Sequence, residues 1–197
     1  LEIMQISFSL LSPILFLIFP LLSFIILIFF GKKLKEKSSY VALSLIGLMF
    51  LSSLFLLLNT ANSYTKVHST FDWFSTGNFD IALGCYIDNI TVIMLFVVSL
   101  ISFLVHIYST EYMKGDPRYS RYFAFLGIFT FSMNGIVLAD SLIMMYIFWE
   151  LVGLSSFLLI GFWFEKDKPP LAANKAFLTN RVGDIGMFIG IMILFFE

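Results

Sequence analysis

Six stretches of this chain are apolar over eighteen to twenty-three residues each, and that pattern excludes the folds open to a water-soluble protein. They run from Phe8 to Phe30, Tyr40 to Leu58, Ile87 to Tyr108, Tyr122 to Ala139, Ser141 to Trp163 and Ala176 to Phe196. A helix of about 20 residues crosses a hydrocarbon core, so each run is near the length of one span. With 59% hydrophobic and 13% charged residues, the chain reads as all-α, a polytopic transmembrane helical bundle. No tandem repeat or low-complexity linker divides it, so residues 1–197 form a single membrane domain. The first run lacks a basic segment before it and a small-residue cleavage site after it, and reads as a retained span rather than a signal peptide. With Leu1 in place of a Met, and an end at Glu197 directly after an apolar run, the sequence is expected to be a segment of something longer.

Orientation follows from the basic residues. Lys32, Lys33, Lys35 and Lys37 follow the first span, Lys114, Arg118 and Arg121 the third, and Lys166, Lys168, Lys175 and Arg181 the fifth. Only Lys66 lies elsewhere, so eleven of the twelve Lys and Arg fall on alternate loops. Positive-inside placement then puts both termini on the outer side. Between spans two and three, the Thr76-Gly77-Asn78 turn signal and the alternation of Phe79-Asp80-Ile81-Ala82-Leu83 predict a short outer β-hairpin. Spans four and five are separated only by Asp140, which predicts a tight helical hairpin with Asp140 as the N-cap of the fifth helix. Asp88 is read as the cap of the third. Pro13 and Pro20 are expected to kink the first span, tolerable where neighbours satisfy the freed carbonyls. The single cysteine, Cys85, excludes an intrachain disulfide and a metal or iron–sulfur site built from several thiolates.

Glu150 is the one ionisable group between Ser141 and Trp163. It lies roughly 13 Å along the helix from Ser141, too deep for its short side chain to reach a headgroup. An acid at that depth opposes insertion by about 3 kcal/mol, whereas the twelve Leu, Ile, Val and Phe of the run together favour it by about 5 kcal/mol. The span inserts with its acid in place. A protonated Glu bridging to a neighbouring helix is the plain reading; the functional one is a proton carrier. Burial favours the protonated carboxyl and a nearby cation favours the carboxylate, so moving a cation would load or unload a proton. No lysine of this chain lies at that depth, so the partner is expected from outside these residues.

The sixth span opens on Lys175-Ala176-Phe177-Leu178-Thr179-Asn180-Arg181-Val182-Gly183-Asp184. Arg181 and Asp184, at i and i+3, share a helix face and can pair. With Ala176 as the edge, Asp184 is roughly 12 Å deep. Two readings stand: an ion pair anchoring a helix end, or a second carboxylate in a proton path. His106, two residues from the end of its span, reads as a hydrogen-bonded interfacial histidine; with Lys175 it is also a candidate proton inlet. Thr130, Ser132 and Asn134 give the fourth span a polar side that faces other helices, and Gly186 and Gly190 have the spacing of a close helix contact. Interface belts and packing explain most of the aromatics among Trp149, Trp163, Tyr112, Tyr119 and Tyr122, of which Trp149 alone is placed away from an edge.

Several of these residues occur in a specific order. His106-Ile107-Tyr108-Ser109, Tyr112-Met113, Gly115-Asp116-Pro117, Arg121-Tyr122-Phe123, Phe148-Trp149-Glu150-Leu151-Val152-Gly153, Leu159-Ile160-Gly161-Phe162-Trp163, Lys175-Ala176-Phe177 and Asn180-Arg181-Val182-Gly183-Asp184 resemble subunit 5, the L-type subunit, of the proton-translocating NADH:quinone oxidoreductase, complex I. The match covers the chain from about Ile87 onward. The resemblance implies an antiporter-like proton-translocating subunit of a respiratory electron-transport complex. It carries no redox centre, and FMN, iron–sulfur clusters, quinone and NADH are expected on partner subunits. It implies that Glu150 is the membrane glutamate whose charge a lysine on a later helix governs, and that Arg181 and Asp184 serve coupling to an adjacent antiporter-like subunit. The lysine helix, the broken helices and the lateral helix of that family lie beyond these six spans, so a further chain or segment completing the subunit is an expected partner. So is the lipid of a bacterial plasma membrane or mitochondrial inner membrane; nucleic acid is not. Two alternatives remain: the related subunit of a multi-subunit sodium/proton antiporter, or a truncated structural membrane piece.

Overall fold

The computed structural model describes residues 2–60, 66–76 and 79–196. Helix α1 spans Glu2–Leu34 and α2 Ser38–Thr60; strands β1 (Val67–Thr76) and β2 (Phe79–Ile87) follow, then α3 (Asn89–Tyr112), α4 (Tyr119–Leu138), α5 (Leu142–Ile160) and α6 (Lys168–Phe196). Five apolar segments are long enough to cross a membrane. The first of them, Ile14–Thr60, is 47 residues long and takes in most of α1 and all of α2, folded back on each other. The fold-back is one 3-10 turn, Lys35–Lys37, with Lys35 at φ 49°. The hydroxyls of Ser38 and Ser39 donate to the carbonyls of Lys35 and Glu36 and hold it.

The helices run up and down. Phe16 of α1 packs with Ile46, Met49 and Leu56 of α2, whereas Leu27, nearer the other end of α1, meets Ala42 at the start of α2. The three basic connections gather at one end of the bundle, called the basic end below. There the α1–α2 turn touches the start of α4, where a Cβ on Gly31 would overlap Ser120, and the α3–α4 and α5–α6 loops join through Trp163 Nε1, which donates to Asp116 at 3.0 Å. This arrangement is what alternate-loop placement of positive charge requires.

Helix α4 is central, with α1, α2, α3 and α5 around it. Its polar side faces these helices, as expected: Thr130, Ser132 and Asn134 are all buried. Asn134 does a specific job. Pro20 has no N–H, so the carbonyl of Phe16, four residues earlier, loses its helical donor. Asn134 Nδ2 supplies the replacement at 2.9 Å and also reaches Met49 Sδ at 3.1 Å. Helix α1 therefore runs as one element through both prolines. Gly127 permits the approach, since a Cβ there would lie 3.1 Å from the Pro20 carbonyl and 3.2 Å from the Phe24 amide. Asn134→Leu is expected to cost about 1–3 kcal/mol by stranding that carbonyl. Read as a thermal midpoint in detergent, the loss is expected to shrink in a Pro20→Ala background, where the helix regains its own donor.

The hairpin is present, with Val67 opposite Ile87, Thr76 opposite Phe79, and a bulge between Asp72 and Phe74. Its Gly77-Asn78 turn lies outside the described residues. Asp140 is not the cap of α5. Ser141 is, accepting from the Met144 amide at 3.3 Å. Asp140 instead reaches the hairpin, accepting from Gly84 N at 2.9 Å and from His68 Nε2 at 3.1 Å. Any side chain at Gly84 would collide with that carboxylate. The competing partner is tertiary, which local sequence does not reveal. Cys85, beside this junction, has its thiol pushed up by burial and then by the Asp140 charge, and stays protonated.

Asp88 does cap α3, accepting from Thr91 N at 2.8 Å and Thr91 Oγ1 at 2.9 Å. The Thr91 amide holds its carboxyl below the usual aspartate range. A lowered carboxyl contributes stability above the unfolded-state value and loses it as pH falls through the folded one. Asp88→Ala is expected to lower stability at neutral pH by about 1 kcal/mol. The gap between the two proteins, followed by thermal unfolding, is expected to start narrowing at about pH 4, where the unfolded carboxyl titrates, and to close as pH falls through the lower folded-state value.

Candidate functional site

Glu150 is the ninth of the nineteen residues of α5, and α6 packs antiparallel along that helix. The register is set by Tyr146 against Phe188, Phe157 against Phe177, and Gly161 against Ala173. It brings Arg181 and Asp184 of α6 level with Trp149 and Glu150 of α5. Arg181 Nη1 is in direct contact with Glu150 Oε2 and lies 3.8 Å from Asp184 Oδ2. Trp149 Nε1 donates to Asp184 Oδ1 at 3.0 Å. The guanidinium also stacks over Phe177, 4.5 Å from the ring centroid, a cation–π contact that steadies it.

The three charges are unequally buried: the Asp184 side chain is 8% exposed, Glu150 21% and Arg181 36%. Beside them opens a groove of about 340 Å³ lined by Trp149, Gly153, Ser156, Thr179, Asn180 and Asp184 among others. Two acids share one arginine, so with all three ionised the cluster carries one net negative charge. An arginine keeps its proton in proteins, so only the carboxyls of this cluster can exchange one.

Here the sequence reading needs correction. Glu150 does have a cation at its depth within this chain: Arg181, which the i, i+3 argument assigned to Asp184 alone. The Arg181–Asp184 pairing holds at 3.8 Å, but the shorter contact is to Glu150. The error came from starting the sixth helix at Ala176. Helix α6 begins at Lys168, with Pro169 and Pro170 in its first turn, where proline is tolerated. Trp149 was assigned to packing and is a donor to Asp184; no signal local to it in the sequence marks that bond.

The other candidates lie apart. Lys175 is exposed on α6, toward its basic end. His106 is 1% exposed, covered by Phe123 at a ring distance of 6.0 Å. Its expected hydrogen bond is present, from Nδ1 to Ser102 O at 2.8 Å. Gly186 and Gly190 front open space rather than a helix among the described residues.

Two neighbouring spans of this helical bundle thus hold an acid–arginine–acid cluster between them. Residues 73–123 match the family described as NADH-ubiquinone oxidoreductase (complex I), chain 5 N-terminus, and residues 139–197 match the membrane region of the NADH:quinone oxidoreductase/Mrp antiporter family. The chain belongs to this family and corresponds to the N-terminal portion of its subunit 5 members. It is 42% identical over 159 residues to NAD(P)H-quinone oxidoreductase subunit 5 of the Mesostigma viride chloroplast, covering 81% of this chain and 24% of that protein. It is 40% identical over 189 residues to F(420)H(2) dehydrogenase subunit L of Methanosarcina mazei, covering 95% and 27%. The chain thus spans about a quarter of the length of the curated relatives it matches. Its fold is shared with a chain of an archaeal membrane-bound sulfane sulfur reductase, at TM-score 0.78 and 14% identity over 90% of this chain and 36% of that one. It is shared too with the Mrp complex of Dietzia sp. DQ12-45-1b, at TM-score 0.72 and 18% identity over 92% and 18%. The protein is an integral, multi-pass protein of an energy-transducing membrane.

Proposed function

We propose that this chain is the N-terminal part of a proton-translocating subunit of a quinone oxidoreductase, with Glu150 as the proton carrier and Arg181 as the charge that governs it. The observation that carries the reading is the sharing of one fixed cation by two carboxyls at mid-helix. With the guanidinium on Glu150, the carboxylate is favoured; drawn toward Asp184, which Trp149 holds in place, it leaves Glu150 free to take a proton. The net negative charge suits a further cation, such as the later-helix lysine that the resemblance implies, carried by a segment or chain beyond these residues. Lys175 and His106 are the proposed inlets from the basic end, which faces inward, leaving both termini outside. Flavin, iron–sulfur clusters, quinone and the electron donor belong to partner subunits, and an adjacent antiporter-like subunit is the proposed neighbour at Asp184.

The electron donor is not read in this chain, since its relatives are named for different ones. An Mrp-type sodium/proton antiporter is the second reading, supported by the shared family description. What travels with the protein decides between them. A tagged chain purified from its native membrane is expected to bring flavin and iron–sulfur subunits at fixed ratio. A purely membranous set of partners, free of flavin absorbance, would overturn the oxidoreductase reading in favour of the antiporter.

A further inference from the structure

The bundle of α1 to α4 holds a second polar place, separate from the Glu150 cluster. His106 Nδ1 lies 2.8 Å from the Ser102 carbonyl, which can only accept, so Nδ1 carries the ring proton. Nε2 is then a bare lone pair, buried and without a donor among the described residues. Ser109 is also 1% exposed, and its hydroxyl is likewise without a partner. At i and i+3 the two side chains occupy one face of α3, with Ser109 on the side of the basic end.

Nothing nearby is left to satisfy them. The Ser102 and Thr130 hydroxyls bond each other at 2.7 Å, and Thr130 passes its own proton to the Leu126 carbonyl at 2.9 Å, which closes that chain. On α3 and α4 the ring meets Ser102 and Phe123, neither of them charged. A lone acceptor and a hydroxyl, one turn apart and shut off from bulk solvent, are the partners a buried water requires.

We propose that His106 Nε2 and Ser109 Oγ bind one buried water molecule, and that this water links His106 to the basic end. The water donates to Nε2 and accepts from Ser109. A proton arriving on it passes to Nε2, the water returns to its starting form, and the imidazolium keeps its Nδ1–H on Ser102. The binding site rests on the two buried, unpartnered atoms one turn apart; its use as an inlet rests on the function proposed above.

The test uses the assembled complex. A map sharp enough to show other buried waters is expected to place density within hydrogen-bonding distance of both atoms, and to lose it in Ser109→Ala. A dry pocket in the native protein, or density unchanged in Ser109→Ala, overturns the site. In vesicles, proton uptake is expected to fall at least about tenfold in His106→Phe, and by a smaller factor in the near-isosteric Ser109→Ala, which carries the test should His106→Phe fail to assemble. Wild-type uptake in the variants that assemble overturns the inlet. Glu150→Gln in parallel separates the cases: if it is silent while the α3 variants pump, only the inlet fails; if it pumps too, the reading of the whole subunit fails.

Discussion

Glu150→Gln is expected to lower proton translocation about a hundredfold or more while the complex still assembles. The amide keeps the shape of the carboxyl, and its Oε1 can still accept from Arg181, so the α5–α6 contact survives with a neutral bond in place of a charge-assisted one. What disappears is the exchangeable proton, because an amide neither gains nor loses one near neutral pH. Reconstituted vesicles supplied with electron donor and quinone give the measurement, with the level of assembled complex as the control. Native-level pumping in that variant would end the assignment of Glu150 as carrier and leave it the plain role of a bridge between helices.

Arg181→Leu is expected to have the largest effect on stability. It leaves two carboxyls between α5 and α6 without their shared cation, and removing one partner of a buried ion pair costs about 3–5 kcal/mol. Arg181 is about one-third exposed, so the loss is expected at the lower end of that range. The readouts are the amount of complex in the membrane and its thermal midpoint in detergent. Arg181→Lys is expected to recover only part, since an ammonium is a point charge that does not span two carboxyls as a planar fork does. Adding Glu150→Gln to Arg181→Leu is expected to restore some stability, a double-mutant cycle that measures the coupling directly. Strictly additive losses would show that the two residues do not act on each other.

Much of this was written in the sequence. Long apolar runs located α2 to α5 to within about four residues at each end, because the thickness of a bilayer sets a length that composition must match. The polar side of α4 followed from Thr130, Ser132 and Asn134, and Glu150 and Asp184 stood out because an acid in an apolar run is costly. Other features were hidden for definite reasons. The start of α6 was misplaced because Lys168 and Lys175 interrupt the apolar run, whereas helix formation depends on backbone bonding that lysine does not oppose. Asp140 was assigned to the nearest helix end because capping is a local rule, but it found a partner fifty-six residues back at Gly84. The Glu150–Arg181 contact depended on how α6 slides along α5, which aromatic and small-residue packing decides and no short motif announces.

The bond between Asn134 and the Phe16 carbonyl has a consequence for biogenesis. The two residues are 118 positions apart. At elongation rates of about 5–20 residues per second, the first helix waits roughly 6–24 s before the ribosome has made the side chain that completes it. Through that interval its exposed oxygen needs a substitute, from water at the insertion channel or from a chaperoning helix. Chains truncated before α4 are therefore expected to stay accessible to quality-control proteases, and chains extended past Asn134 to become protected.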